Sequence, residues 1–322
     1  MHPQFKVCVK FIRPRRLELY TNFTDGREVG AMNETAGRTS VQTWFGLAGA
    51  IFVGLTMFGI VAGLVWQATA PLNERASTVK LPGDLHTLEF LKDGRLVSGQ
   101  HGGIQVSSDG GLTWGVSSRQ GDVMAVAERN GFLYTAGHNL LQRSGNAGRT
   151  WTPMGFGNLP SKDIHGLTIT GNGWMFVSLV GRGLYRSTDR GTSWQVLNAG
   201  LTDVDALASG PGNPPVLYAR SGVRDPMRSE NGGLTWQRTS TENGSSIPMG
   251  SALSVHAPSG HVYSTGSDGP VRSTDGGRTW QPLAALKSVA LIVVNPEDES
   301  QIVTVTLEGW VFYSDDGGAS WQ

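Results

Sequence analysis

Six copies of one short box constrain this chain more than any other feature. Ser-x-Asp/Asn-x-Gly-x-Ser/Thr-Trp recurs at residues 107–114, 144–151, 187–194, 229–236, 273–280 and 314–321, and successive first serines stand 37, 43, 42, 44 and 41 residues apart. A near-constant period of this size marks a repeat architecture. The box has a local logic. Its serine and its Asp/Asn (Asp109, Asn146, Asp189, Asn231, Asp275, Asp316) carry oxygens that bond backbone amides and hold a hairpin turn. Its glycine takes backbone angles a side chain resists. Its tryptophan (Trp114, Trp151, Trp194, Trp236, Trp280, Trp321) is a large apolar anchor. Asn in two boxes keeps the acceptor and loses the charge, which points to turn building rather than metal binding.

Upstream of each box the same grammar returns. Repeat two reads DVMAVAE, RNG, FLYTAG, HNLLQRS, and repeat three reads DIHGLTIT, GNG, WMFVSLV, GRGLYRS. These are short alternating strands broken by turn residues, about four per repeat. Glycine at 45 of 322 residues fits so many tight turns. Four strands per ~42 residues match a propeller blade. The expected fold is therefore all-β, a six-bladed β-propeller of four-stranded blades over residues 75–322. The sixth repeat lacks an outer strand after its box, and Arg75–Lys80 is predicted to supply it and close the ring. A shortened piece of a larger ring is the alternative.

The boxes are similar to the Asp boxes, or bacterial neuraminidase repeats, and the resemblance spans residues 75–322. Sequences of this kind resemble sialidases, other Asp-box glycoside hydrolases, sortilin ectodomains and photosystem assembly-factor propellers. The resemblance implies a propeller with its boxes on the outer rim, away from the binding face, and it leaves function open. The sialidase pattern of a Phe/Tyr-Arg-Ile-Pro motif is missing from the first repeat. Phe11-Ile12-Arg13-Pro14 has a similar composition in another order and lies outside the repeats. No tyrosine among Tyr185, Tyr218, Tyr263 and Tyr313 is tied to a glutamate by pattern.

The N-terminal part reads differently. Phe45–Trp66, FGLAGAIFVGLTMFGIVAGLVW, holds 22 residues without a charge. A helix of this length crosses the ~30 Å hydrocarbon core, and Trp44 and Trp66 stand where indoles favour the headgroups. The expectation is one transmembrane α-helix at 45–66, a tail at 1–44, a linker at 67–74 and the propeller at 75–322. The tail carries seven Lys/Arg against four acids, which places it in the cytoplasm and the propeller outside, in the periplasm of a Gram-negative cell. Cleavage near Ala68-Thr69-Ala70 and a start at Met32 are alternatives. Gly46, Ala50 and Gly54 allow a helix-mediated homodimer.

The 26 basic and 26 acidic residues cancel, which argues against a nucleic-acid partner. Cys8 is the single cysteine, so neither an internal disulfide nor a Cys-rich zinc site is available. No phosphate loop, HExxH, nucleophile elbow or dinucleotide fingerprint occurs.

Aligning the inner strands places His86, Met124, His165 and Asp205 at one position, continued less securely by Ser251 and Val289. Propeller symmetry sets this ring at the channel mouth, where His86, His165 and Asp205 converge on a metal or a polar ligand. A polar-ligand or protein-contact use stands beside a metal site and beside side chains merely solvated or capped by neighbouring loops, and no metal ligand set or cofactor is assigned. Asp84, Asp122, Asp163 and Asp203 just before them read as turn caps. Arg182, Arg220 and Arg224 are the candidate anion or partner contacts. The leading expectation is a membrane-anchored binding or assembly module for a protein or glycan. The alternatives are a glycoside hydrolase, expected to show two convergent carboxylates in a deep pocket, and a metal- or small-ligand-binding propeller.

Overall fold

A computed structural model describes residues 79–81, 84–119, 121–197, 201–202, 204–220, 226–241, 252–266 and 268–322. The expected span Phe45–Trp66, its tail and the linker lie outside these residues, as do Arg224, Asp203 and Ser251.

The described chain folds into six antiparallel sheets, each assembled from consecutive strands. The six innermost strands are Leu85–Phe90, Asp122–Arg129, Ile164–Ile169, Ala206–Ser209, Leu253–His256 and Val289–Asn295. This is the expected six-bladed propeller of four-stranded blades, with two local departures. The fifth sheet gains a short fifth strand, Ser240–Thr241, laid parallel to its outer strand Thr279–Pro282. The sixth sheet has three named strands. Its open side is taken by Val79–Leu81: Lys80 bridges Trp310, Leu81 N–H donates to Gly309 O, and Val311 N–H donates to Val79 O. Farther along the same edge Gln322 exchanges both backbone bonds with Tyr313. The described end of Arg75–Lys80 thus pairs where the ring needed a strand.

The apolar core is divided among the gaps between blades. One cluster joins Ala125 and Leu141 of blade two to Ile164, Met175 and Trp194 of blade three. Another joins Leu88 and Phe90 of blade one to Ile292 and Ile302 of blade six, with Leu81 among them. Each blade buries both faces, which explains why strands such as Met175–Leu179 are apolar or small throughout.

The boxes form one structure six times. In the first, Ser107 Oγ donates to Asp109 Oδ1 and accepts from Gly111 N–H, while Thr113 gives Asp109 both its N–H and its hydroxyl. In the second, Asn146 Oδ1 accepts from Ser144 and from Thr150 N–H, and its amide donates to Thr150 Oγ1. Asn therefore reproduces the turn by reversing one hydrogen bond. Gly111, Gly148, Gly191, Gly233, Gly277 and Gly318 all have positive φ, the conformation glycine adopts without steric cost.

Candidate functional site

Strand direction separates the two ends of the ring. Each box follows the third strand of its blade, at the end where the innermost strand turns into the second. The other end carries the start of the innermost strand and the turn between the second and third strands. In blade one that end brings Leu85 opposite Gln100, with His101 next along the chain.

At this end the aligned residues stand out because the strand bulges there. Pairing skips between Leu85 and Thr87, between Val123 and Ala125, and between Val289 and Leu291, and it shifts between Ser178 and Leu179 opposite Ile164 and Gly166. A bulge re-aims the extra side chain. His86, Met124, His165 and Asp205 line one narrow cavity of about 70 Å³ together with Ala252. The cavity lining gives Ala252 as the corresponding residue of blade five, and the bulge between Val289 and Leu291 gives Ala290 in blade six, each one place beyond Ser251 and Val289. The weak strand pattern there misplaced the alignment by one.

A continuous arc of imidazoles and carboxylates runs across blades one to three. Asp122 sits directly opposite His138 in the strand pair, and Asp122 Oδ2 lies 2.8 Å from His138 Nδ1. Asp122 Oδ1 lies 2.8 Å from His101 Nδ1 and 3.8 Å from His86 Nε2. On the far side of the ring, His138 Nε2 lies 3.1 Å from Asp163 Oδ1 and 3.1 Å from His165 Nε2. His165 Nε2 is 3.2 Å from the same Asp163 oxygen. Burial and the adjacent His101 imidazole hold His86 below the ordinary histidine range, against the pull of Asp122. Two groups of three emerge, His86/His101/Asp122 and His138/Asp163/His165, each with its ligand atoms within 4.8 Å of one another.

The backbone fixes this arrangement. His138 and Asp163 form a bridge between blades, and Asn139 N–H donates to Lys162 O. Gly137 allows Asp122 its place, since a Cβ there would lie 1.7 Å from Asp122 O.

Asp122 and Asp163 thus face imidazoles, in place of the turn-capping role expected of them. Arg182 is exposed in the turn between the second and third strands of blade three, at the same end. Arg220 is not exposed: it is 1% accessible and donates to Ser264 Oγ and Thr265 O of blade five. All four residues of its strand, Leu217–Arg220, are buried, so no alternation marks the arginine. His101 and His138 were missed, although both stand at the end of a second strand.

The opposite end of the channel opens into a larger cavity of about 270 Å³, lined by Glu89, Lys92, Glu128, Arg129, Ser209 and Glu297 among others. Burial, with the Glu128 carboxylate nearby, pushes Glu89 up to about 8, and a bond from the Glu128 backbone opposes this. Glu128 accepts from Lys92 N–H at 2.7 Å.

Comparison with known proteins agrees with the fold. The family model for the BNR/Asp-box repeat matches residues 271–282 and 312–322, the boxes of blades five and six with flanking strand. No curated protein sequence matches the chain. Among solved structures, the GH74 xyloglucanase from Xanthomonas campestris superposes with a TM-score of 0.55 at 17% identity, covering 77% of this chain and 46% of that one. This chain thus spans about half the length of that enzyme. The extracellular domain of the putative one component system BT4673 from B. thetaiotaomicron gives 0.51 at 15% identity, covering 71% and 32%. A chain of a nidogen/laminin complex gives 0.54 at 14% identity, covering 71% and 91%. At these identities the likeness is one of fold.

Proposed function

We propose that this chain is a membrane-anchored, extracytoplasmic propeller that binds a protein or glycan partner on the end carrying the imidazole–carboxylate arc. The observation that carries the reading is the gathering of His101, Asp122, His138, Asp163 and His165 at that end. Exposed Arg182 stands at the same end, as do the exposed apolar side chains Val180 and Leu307, 44% and 68% accessible. Polar groups beside apolar ones and an arginine suit a recognition surface. Solved neighbours of the same fold include a chain of a nidogen/laminin complex, which keeps a protein partner in view. The anchor and the orientation rest on Phe45–Trp66 and the basic tail.

Photocrosslinking of the full chain in its own membrane tests this. A crosslinker at position 182 is expected to capture one species in stoichiometric yield, and one at Leu112, in the first box, is not. Equal capture from both positions, or none from 182, overturns the reading.

The Glu89–Glu128 pair supports a second reading, a glycoside hydrolase acting at the larger cavity. A carboxyl kept protonated near neutral pH is what a general acid requires. Hydrolysis of aryl glycosides that both Glu89→Gln and Glu128→Gln abolish is the result expected of it. Turnover unaffected by either change removes it.

A further inference from the structure

The geometry points to a binding site for one divalent transition-metal cation, of the zinc type, made by His138 Nε2, Asp163 Oδ1 and His165 Nε2. These three atoms form a nearly equilateral triangle with sides of 3.1, 3.1 and 3.2 Å. Ligands of a tetrahedral zinc, at about 2.0–2.1 Å from the ion, stand roughly 3.3 Å apart. An ion at that distance from all three atoms sits about 1 Å out of their plane, which leaves a fourth direction for water or a ligand. Two imidazoles and one carboxylate are a donor set suited to zinc and its first-row neighbours.

Proton counting supports the ion. A neutral imidazole carries one proton. Asp122 Oδ2, 2.8 Å from His138 Nδ1, claims the proton of His138 for that nitrogen. His138 Nε2 then presents a lone pair 3.1 Å from Asp163 Oδ1, and a proton on His165 Nε2 can serve one of these two acceptors but not both. The Asp163 oxygen is itself buried and has no hydrogen-bond partner. A cation satisfies all three atoms together. The Asp122–His138 pair also has the form of the carboxylate–histidine support that orients metal-binding imidazoles, so Asp122 is a positioning residue. The side chains of His138 and Asp163 are each 44% exposed, so the group stands at the surface although the Asp163 oxygen itself is covered.

The rival arrangements hold no ion: an imidazolium at His138 bonded to both carboxylates, or a neutral His165 donating from Nε2 to His138 or Asp163. Zinc titration of the full chain in detergent, purified without a polyhistidine tag and stripped with chelator, separates these from the metal site. The wild type is expected to take up one equivalent that His165→Ala and Asp163→Asn each weaken at least 100-fold. Asp122→Asn is expected to weaken it about 10- to 100-fold without lowering the melting temperature of the stripped protein. Cobalt in place of zinc is expected to show the intense visible bands of a tetrahedral site, lost in His165→Ala. Asp163→Asn, nearly isosteric, keeps the test usable if His165→Ala fails to fold. No saturable zinc uptake, or uptake unchanged in Asp163→Asn, overturns the site.

Discussion

At the scale of the residue, burial decides what a charged side chain does. Arg182 and Arg220 are indistinguishable by type, yet one is exposed and the other is pegged between blades by Ser264 and Thr265. Arg220→Ala takes the guanidinium donor from Ser264 Oγ and Thr265 O and leaves a cavity behind, an expected loss of about 2–4 kcal/mol. Arg182→Ala is expected to change stability by less than about 0.5 kcal/mol. Denaturant melts of the two variants check the contrast. Glu89 carries a pH dependence of opposite sign to most carboxylates. Its folded pKa of about 8 lies above its unfolded value, so the folded state holds a proton the unfolded state gives up. Stability falls as pH rises from the ordinary glutamate range towards 8, with a slope of up to about 1.4 kcal/mol per pH unit. Glu89→Gln is expected to flatten this part of the profile in thermal melts taken from pH 5 to 9.

At the scale of the element, the Asp box is a turn held by its own side chains. Asp189 is held at about 2 by the Ser193 hydroxyl, then the Ser193 amide and the Ser187 hydroxyl. A depressed carboxyl stabilises above its unfolded pKa and loses that contribution as pH falls through the folded value. Asp275, also at about 2, keeps this although burial opposes it, through Thr279 and Ser273. Asp275→Asn keeps the acceptor that Asn146 and Asn231 supply and loses only the charge, so it is expected to cost less at pH 7 than Asp275→Ala. Asp275→Ala should cost about 1–2 kcal/mol, by analogy with a lost helix cap, because Arg278 and Thr279 N–H lose their acceptor. Urea midpoints at pH 7 test both, and equal midpoints for the two variants would contradict the turn-building account.

At the scale of the whole molecule, the ring has one seam. Blades one and six share a core cluster that includes Leu81, and Leu81 N–H donates to Gly309 O across that seam. Leu81→Pro removes the donor. The expected outcome is faster hydrogen exchange in Val311–Ser314 and the strands beside it, with blades two to four unchanged. Uniform acceleration across all six blades would mean that the ring opens as one cooperative unit, against a local seam.

The repeat period and the box chemistry were legible in the primary structure because they are local. A turn closed by side chains four residues apart needs no distant partner, and a 37- to 44-residue period records itself. The channel-mouth ring was legible for His86, Met124, His165 and Asp205, where an aspartate two residues earlier marks the strand start. It slipped by one in blades five and six, where no such marker exists. What sequence alone determined was the blade, its number and its turns. Tertiary structure decided which charges are buried and which blades face one another. It alone brought Asp122 opposite His138 and His138 against Asp163, because contacts between strands and between blades depend on register and bulges that no local pattern encodes.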